Sequence, residues 1–199
     1  ATGWSLKELH RLILRSKVYQ QSSLADPATW AADPANVWLG RFPRRPLDAE
    51  SIRDSMLAIS GLLDRTPSGP HPFPPVETWA FTIHNPFHAV YDSNRRSVYL
   101  MTQRNRRHPF LALFDAADPN LSVDKRTPTI TPTQALYLMN SPFVHAQAEA
   151  FARRLLKESP DDPSRIRRAF EHAHGRLPSD REIAAATTFL NHYHLEQVN

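Results

Sequence analysis

Eighteen prolines against five glycines constrain this 199-residue chain more than any other feature. Proline holds φ near −65° and offers no backbone donor, so it suits helix starts and stiff connections but not helix interiors or central strands. So few glycines leave little room for flexible linkers. Such a chain is expected to be a series of helices that begin at prolines and are joined by rigid, ordered loops. The positions agree. Thr131-Pro132, Ser141-Pro142 and Asp162-Pro163 each set proline at or beside a helix start, and Thr131 with Gln134 has capping-box spacing.

Apolar periodicity fills in the helices. Ser5 and Glu8 repeat the capping-box pattern ahead of Leu6, Leu9, Leu12 and Ile13. A polar connection follows, which Trp30 and Trp38 are expected to anchor. A second helix should begin near Asp48, with Asp48 and Glu50 in its electropositive first turn and Ile52, Met56, Ile59 and Leu63 facing the core. A short helical turn is expected from Pro109 through Phe114. Three C-terminal stripes complete the set: Val144, Ala148, Phe151 and Leu155; Ile166, Ala169, Phe170 and Ala173, stopped by Gly175; and Ile183, Ala186 and Leu190, capped by Ser179 with Glu182.

Residues 97–103 alternate and are β-rich, which predicts one strand, with 80–83 or 89–91 as its partner. The prolines of residues 64–86 exclude a central strand there, while Phe73, Trp79, Phe81 and, just beyond, Phe87 argue for order. The expected architecture is mainly α: one helical domain over 1–199 with a small β element and long ordered Pro-rich loops, divisible into lobes 1–66, 67–128 and 129–199.

Composition excludes several functions. There is no cysteine, hence no disulfide, thiolate metal site, cysteine nucleophile or CxxCH haem attachment in this segment. Nothing approaches a membrane-spanning apolar run, no signal peptide is visible, and the chain reads as a piece of a larger protein. Membrane insertion is not expected. Arginine outnumbers lysine twenty to four. Guanidinium groups suit bidentate pairing with carboxylates, sulfates or phosphates, although a GC-rich genome produces the same bias.

Several motifs taken together, GWSLKELHRLILRSKVYQQSS, RRPLDAESIRDSMLAISGLLD, RRSVYL, FDAADPN, TPTQALYLMNSPFV and HGRLPSDREIAAATTFL, resemble a known family. It is the planctomycete-type domain of unknown function found C-terminal to planctomycete cytochrome-c-like domains in large secreted proteins. The resemblance runs in order from about Gly3 to Leu190. It implies an extracytoplasmic (periplasmic or cell-surface) setting beside haem domains and carbohydrate-related genes, and it carries over no catalytic residue. Where many members have a cysteine soon after FDxxDPN, this chain has Val123 or its neighbours, and a Gly-Gly pair before the proline-rich loop is reduced to Ser68-Gly69.

The candidate anion-binding residues are Arg95, Arg96, Arg104, Arg106, Arg107 and His108, interleaved with Tyr91, Tyr99 and Phe110. On a strand, Arg96 and Arg104 would share one face. Their first expected role is structural, pairing with Asp92, Asp115, Asp118, Asp48, Glu50 or Asp54. Contact with sulfated or uronic polysaccharide comes second and nucleic acid last.

His71, His84 and His88 form a loop-site candidate, but Pro86 breaks the helical spacing of the last two, so hydrogen-bonded loop histidines are expected and no metal or other cofactor. Asp115 with Asp118 offers a carboxylate pair, which turn chemistry explains equally well. Ser122 to Lys125 matches S-x-x-K without its companion motifs. The resulting expectation is a non-catalytic accessory or scaffolding module whose partners are neighbouring domains of its parent chain. The alternative is a hydrolase-like or binding module for anionic polysaccharide.

Overall fold

The structure, a computed structural model, describes residues 3–67, 69–71, 75–87, 93–104 and 106–197, the last four as backbone only. Ser68, Phe73, His88, Tyr91, Asp92 and the candidate strand partner at 89–91 lie outside the described residues. The chain forms two compact units, Ala1–Pro46 and Leu47–Asn199.

The first unit holds α1 (Leu6–Leu14) and α2 (Pro27–Ala32). Ser5 caps α1 by accepting from the Glu8 N–H at 3.4 Å, as expected. The sequence patterns did not reveal α2. Its signals are local: Asp26 accepts from the Thr29 N–H at 2.9 Å, and Pro27 occupies the first turn. Among residues 3–46 only Arg41 is buried. It donates to the Asp33 and Pro34 carbonyls at 2.8 and 2.7 Å, and its guanidinium lies 3.7 Å from the centre of the Trp30 ring. Trp30 anchors the connection through this ring contact rather than by burial. Trp30 and Trp38 are 46% and 77% exposed, because this unit is held by polar and ring contacts rather than by a core.

The second unit contains α3 (Ala49–Ser60), α4 (Pro109–Leu113), α5 (Pro132–Asn140), α6 (Pro142–Glu158), α7 (Asp162–His174) and α8 (Asp180–Gln197). Its core is Ala49, Leu100, Phe110, Leu111 and Ala116, with Ile52, Phe114 and Tyr137 packed against it. Phe110 organises this cluster: its ring lies 4.6, 5.6 and 6.1 Å from the rings of Phe114, Tyr137 and Phe143.

The inward face of α3 is rotated from the expected stripe. Leu57 and Ala49 are fully buried, whereas Ile52, Met56 and Ile59 are half-buried. The rotation comes from polar contacts. Ser60 Oγ donates to Gln147 Oε1 of α6 at 2.7 Å, and Arg154 Nη1 of α6 donates to the Ile59 carbonyl at 2.9 Å near the C-terminus of α3. Gly61 and Gly175, at φ 82° and 64°, close α3 and α7 in the left-handed conformation. Asp161 caps α7, and Ser141 opens α6 without a side-chain cap bond.

The expected β element is absent: no strand forms among the described residues. Residues 97–99 are a 3-10 helix (Ser97–Tyr99), and the nearest feature to a sheet is one isolated bridge between Asp64 and Arg95. A strand needs a neighbour. The described candidate partner is occupied otherwise: Thr82 and Asn85 bond each other's backbone in a tight turn, at 3.0 and 3.2 Å. The Ser97 N–H is meanwhile taken by Asp54 at 2.7 Å.

Candidate anion-binding site

The arginine-rich segment is held from two sides. From α3, Arg53 reaches the segment's start. Its side chain, 5% exposed, donates to the Arg95 carbonyl at 3.1 Å and to Ser97 Oγ at 3.3 Å, and also bonds the Ser93 carbonyl. The Asp54 carboxylate accepts from the Ser97 N–H and Oγ, both at 2.7 Å. Two adjacent α3 residues thus satisfy backbone groups that a strand would have paired. The serine of RRSVYL is the receiving residue, which explains its burial.

From the other side, the turn after α4 holds Arg104 and Arg107. Asp115 ends α4 at φ 58°, a left-handed conformation usual for glycine and tolerated by aspartate. This lets the Ala116 N–H reach back to the Leu111 carbonyl at 2.9 Å. The Asp115 carboxylate accepts from the Thr129 N–H at 2.6 Å and Oγ1 at 2.8 Å, and these bonds hold its pKa below the usual value. The buried Gln134, N3 of the capping box, also donates to the Leu113 carbonyl at 2.9 Å. TPTQ therefore starts α5 and ties down FDAADPN together.

Arg107 closes the arrangement. Nη2 donates to the Ala116 carbonyl at 2.9 Å, and Nη1 lies 3.6 Å from Asp118 Oδ2. Asp118 accepts from the Asn120 N–H at 2.9 Å, the main cause of its lowered pKa, and Asn120 Nδ2 donates to the Arg104 carbonyl at 3.0 Å. Beneath lies a small pocket of about 140 Å3, lined by Glu50, Thr102, Arg107 and His108 on one hand and by Leu111, Ala116, Ala117 and Pro119 on the other. Pockets for drug-sized ligands measure roughly 300–1,000 Å3, so this space is too small for one. Glu50 is itself engaged by Arg126 Nη1 at 2.7 Å.

The six candidate residues thus separate. Arg95 is tied to Asp64, Nε to Oδ2 at 3.3 Å, and Arg107 to Asp118. His108 is half-buried ahead of α4. Arg96, Arg104 and Arg106 are exposed and, among the described residues, their side chains meet no carboxylate. Arg96 and Arg104 do not share a strand face, since no strand forms there among the described residues. Arg53, Arg126 and Arg41, none of them in the sequence cluster, bear structural contacts for which no local pattern along the chain is a signal.

His71 is half-buried and His84 exposed, while His88 lies outside the described residues. No cluster of metal-ligating groups occurs among the described residues. Ser122 and Lys125 are exposed.

A family model described as PSD1, protein of unknown function (DUF1553), matches residues 1–190. The chain belongs to that family. The match covers all the motifs above, from the α1 region to α8, so both clamps on the arginine segment lie within the family domain. No curated protein and no solved structure matches the chain.

Proposed function

We propose that this DUF1553 domain is a non-catalytic accessory module of an extracytoplasmic multidomain protein, working as a scaffold for the neighbouring cytochrome-c-like domains. The supporting observation is a large open groove. It has a volume of about 550 Å3, lies between α6, α7 and α8 and is floored by Leu155, Leu156, Ile166, Phe170, Phe189 and Leu190. Such a lining receives apolar side chains and offers little to orient a polar substrate. The arginine at its edge is already committed: Arg165 donates to the Ser159 and Pro160 carbonyls at 3.0 and 2.8 Å and to Asp162 at 2.7 Å. Leu156 and Phe189 are exposed, at 59% and 65%. The Leu156→Arg/Phe189→Arg variant should therefore fold normally and lose affinity for the adjoining segment of the parent protein, measured by calorimetric titration. Unchanged affinity would remove the groove from the interface.

A second reading, contact with sulfated or uronic polysaccharide, is favoured by a separate observation. Arg104 and Arg106 project without carboxylate partners from a segment fastened by Asn120 and Arg107. A fastened loop loses little entropy on binding. Binding without hydrolysis is the form this supports. A glycosidase keeps one carboxyl protonated and one ionised, whereas Asp115 and Asp118 both have lowered pKa values and both are used by local hydrogen bonds. Titration with heparin and with polygalacturonate tests it: Arg104→Ala/Arg106→Ala should abolish binding that Arg95→Ala retains.

A further inference from the structure

The chain's net charge is confined to its first unit. Residues 1–46 hold seven basic residues against three acidic ones, leaving seventeen of each for residues 47–199. The whole +4 therefore belongs to the smaller unit, and the larger one is neutral. The same unit leaves its apolar side chains uncovered. Leu6, Leu9, Leu12 and Ile13 are 45–71% exposed on a strongly amphipathic α1, and no residue of that helix is buried. Three of the four tryptophans are here too, Trp4 and Trp38 mostly exposed and Trp30 half so.

The cations follow a matching pattern. At 100° per residue Leu6, Leu9, Leu12 and Ile13 of α1 fall within one arc, and Lys7, Arg11 and Arg15 fall on the other side, with the fifth apolar residue, Leu14, beside Lys7. Arg11 pairs with Glu8. Lys7, Arg15, Lys17 and Arg45 meet no carboxylate among the described residues. A helix with a sharp apolar stripe, basic residues on its opposite face and tryptophan nearby has the composition of a segment that lies in a lipid–water interface. An apolar protein groove would explain the leucine stripe alone. It would not explain why the unit that carries that stripe also carries the whole net positive charge.

We propose that the first unit docks peripherally on an anionic bilayer surface, with the leucine stripe of α1 at the acyl boundary and Lys7, Arg15 and Lys17 at the lipid phosphates. No described helix is long and apolar enough to cross a membrane, so the contact is with the surface, as α1, at nine residues, requires. This docking is independent of the groove and of the arginine loop, which both belong to the second unit.

The test is partition of the 199-residue chain onto phosphatidylglycerol/phosphatidylcholine vesicles, followed by sedimentation and by tryptophan quenching with brominated acyl chains. Binding and quenching are expected on the mixed vesicles, with neither on pure phosphatidylcholine. Each basic side chain near an anionic surface contributes about fivefold to affinity, so Lys7→Ala/Arg15→Ala/Lys17→Ala should weaken partition on the order of a hundredfold. Leu9→Glu/Leu12→Glu should abolish it, while Leu121→Glu in the second unit, also exposed, should not. In 1 M salt, where the Debye length falls to about 3 Å, partition should drop sharply. Three results would each overturn the proposal: no binding of the unaltered chain to anionic vesicles, equal binding to zwitterionic ones, or self-association that buries α1 in place of lipid binding. The unaltered chain decides the matter even if a variant misfolds.

Discussion

Arg53 and the arginines of residues 104–106 occupy opposite extremes of one chain. Arg53 sits in the middle of α3, buried, with each terminal guanidinium nitrogen donating to residues 93–97 and the guanidinium carbon 5.4 Å from the Phe143 ring centre. Arg104 and Arg106 stand on a loop held by Asn120 and by Arg107, with their side chains in solvent. In sequence the second pair looks like the functional cluster, and Arg53 looks like one polar residue of an amphipathic helix. The contrast teaches that arginine density does not locate arginine work. What decides is whether unsatisfied carbonyls and carboxylates surround the guanidinium once the chain is folded.

The largest expected effect sharpens that contrast. Arg53→Ala leaves the Ser93 and Arg95 carbonyls without their donor and opens a void beside Phe143. Loss of about 3 kcal/mol is expected, a fall in Tm of roughly 6–12 °C for a domain of this size, read by thermal denaturation. Arg53→Lys should recover only part of it, because one ammonium cannot span the same acceptors. A fall under about 2 °C would show that residues 93–97 hold themselves.

Next comes the second clamp. Asp115→Ala removes the acceptor for Thr129 and places alanine at φ 58°. Destabilisation of about 1–2 kcal/mol is expected, and Asp115→Asn should cost less because asparagine tolerates that conformation. Hydrogen exchange should report faster opening of residues 104–107 in the alanine variant. Unchanged protection there would separate FDAADPN from the arginine loop.

A third effect lies outside both clamps and serves as a control for the pH response. Glu158 accepts from Arg154 at 2.6 Å, from Arg168 at 3.1 Å and faces His172 Nε2 at 3.0 Å. The bond from Arg154, then those from His172 and Arg168, hold its pKa down from 4.5 to about 2. A depressed carboxyl pKa stabilises the fold above the unfolded value and ceases to do so as pH falls through the folded one. Stability should therefore decline between about pH 4.5 and 2, and Glu158→Gln should flatten that part of the acid limb in a Tm-against-pH series. An unchanged acid limb would assign the decline to other carboxylates.

The smallest effect on stability belongs to the loop. Arg104→Ala/Arg106→Ala should move stability by no more than about 0.5 kcal/mol per site, against the several-degree fall that a structural role for Arg104 predicts. A large fall in Tm would break the comparison and return these residues to the structural class.

Much of the helical frame was legible beforehand because its signals are local. The caps at Ser5 and Thr131, the helix start near Asp48, the proline start at Pro109 and the stop at Gly175 each depend on contacts within a few residues. The missed helix Pro27–Ala32 carried the same kind of signal, an aspartate followed by proline, in a stretch too short to show a stripe. The expected strand failed for the converse reason. Alternation at 97–103 is local, but a strand exists only if a partner is free, and Asp54 took the Ser97 N–H first, from 43 residues away.

The sequence by itself determined that this is a helix-dominated member of the DUF1553 family, without thiol chemistry and with an arginine-rich segment before FDAADPN. Those properties depend on composition, on short-range capping and on motif order. Only the tertiary structure decided which arginines are spent and which are available. Arg53 meets its carbonyls across 40 to 42 residues and Arg126 meets Glu50 across 76, while Arg104 and Arg106 meet no carboxylate among the described residues. A guanidinium's role is set by acceptors that long-range packing brings to it, and no spacing rule along the chain encodes where those acceptors arrive.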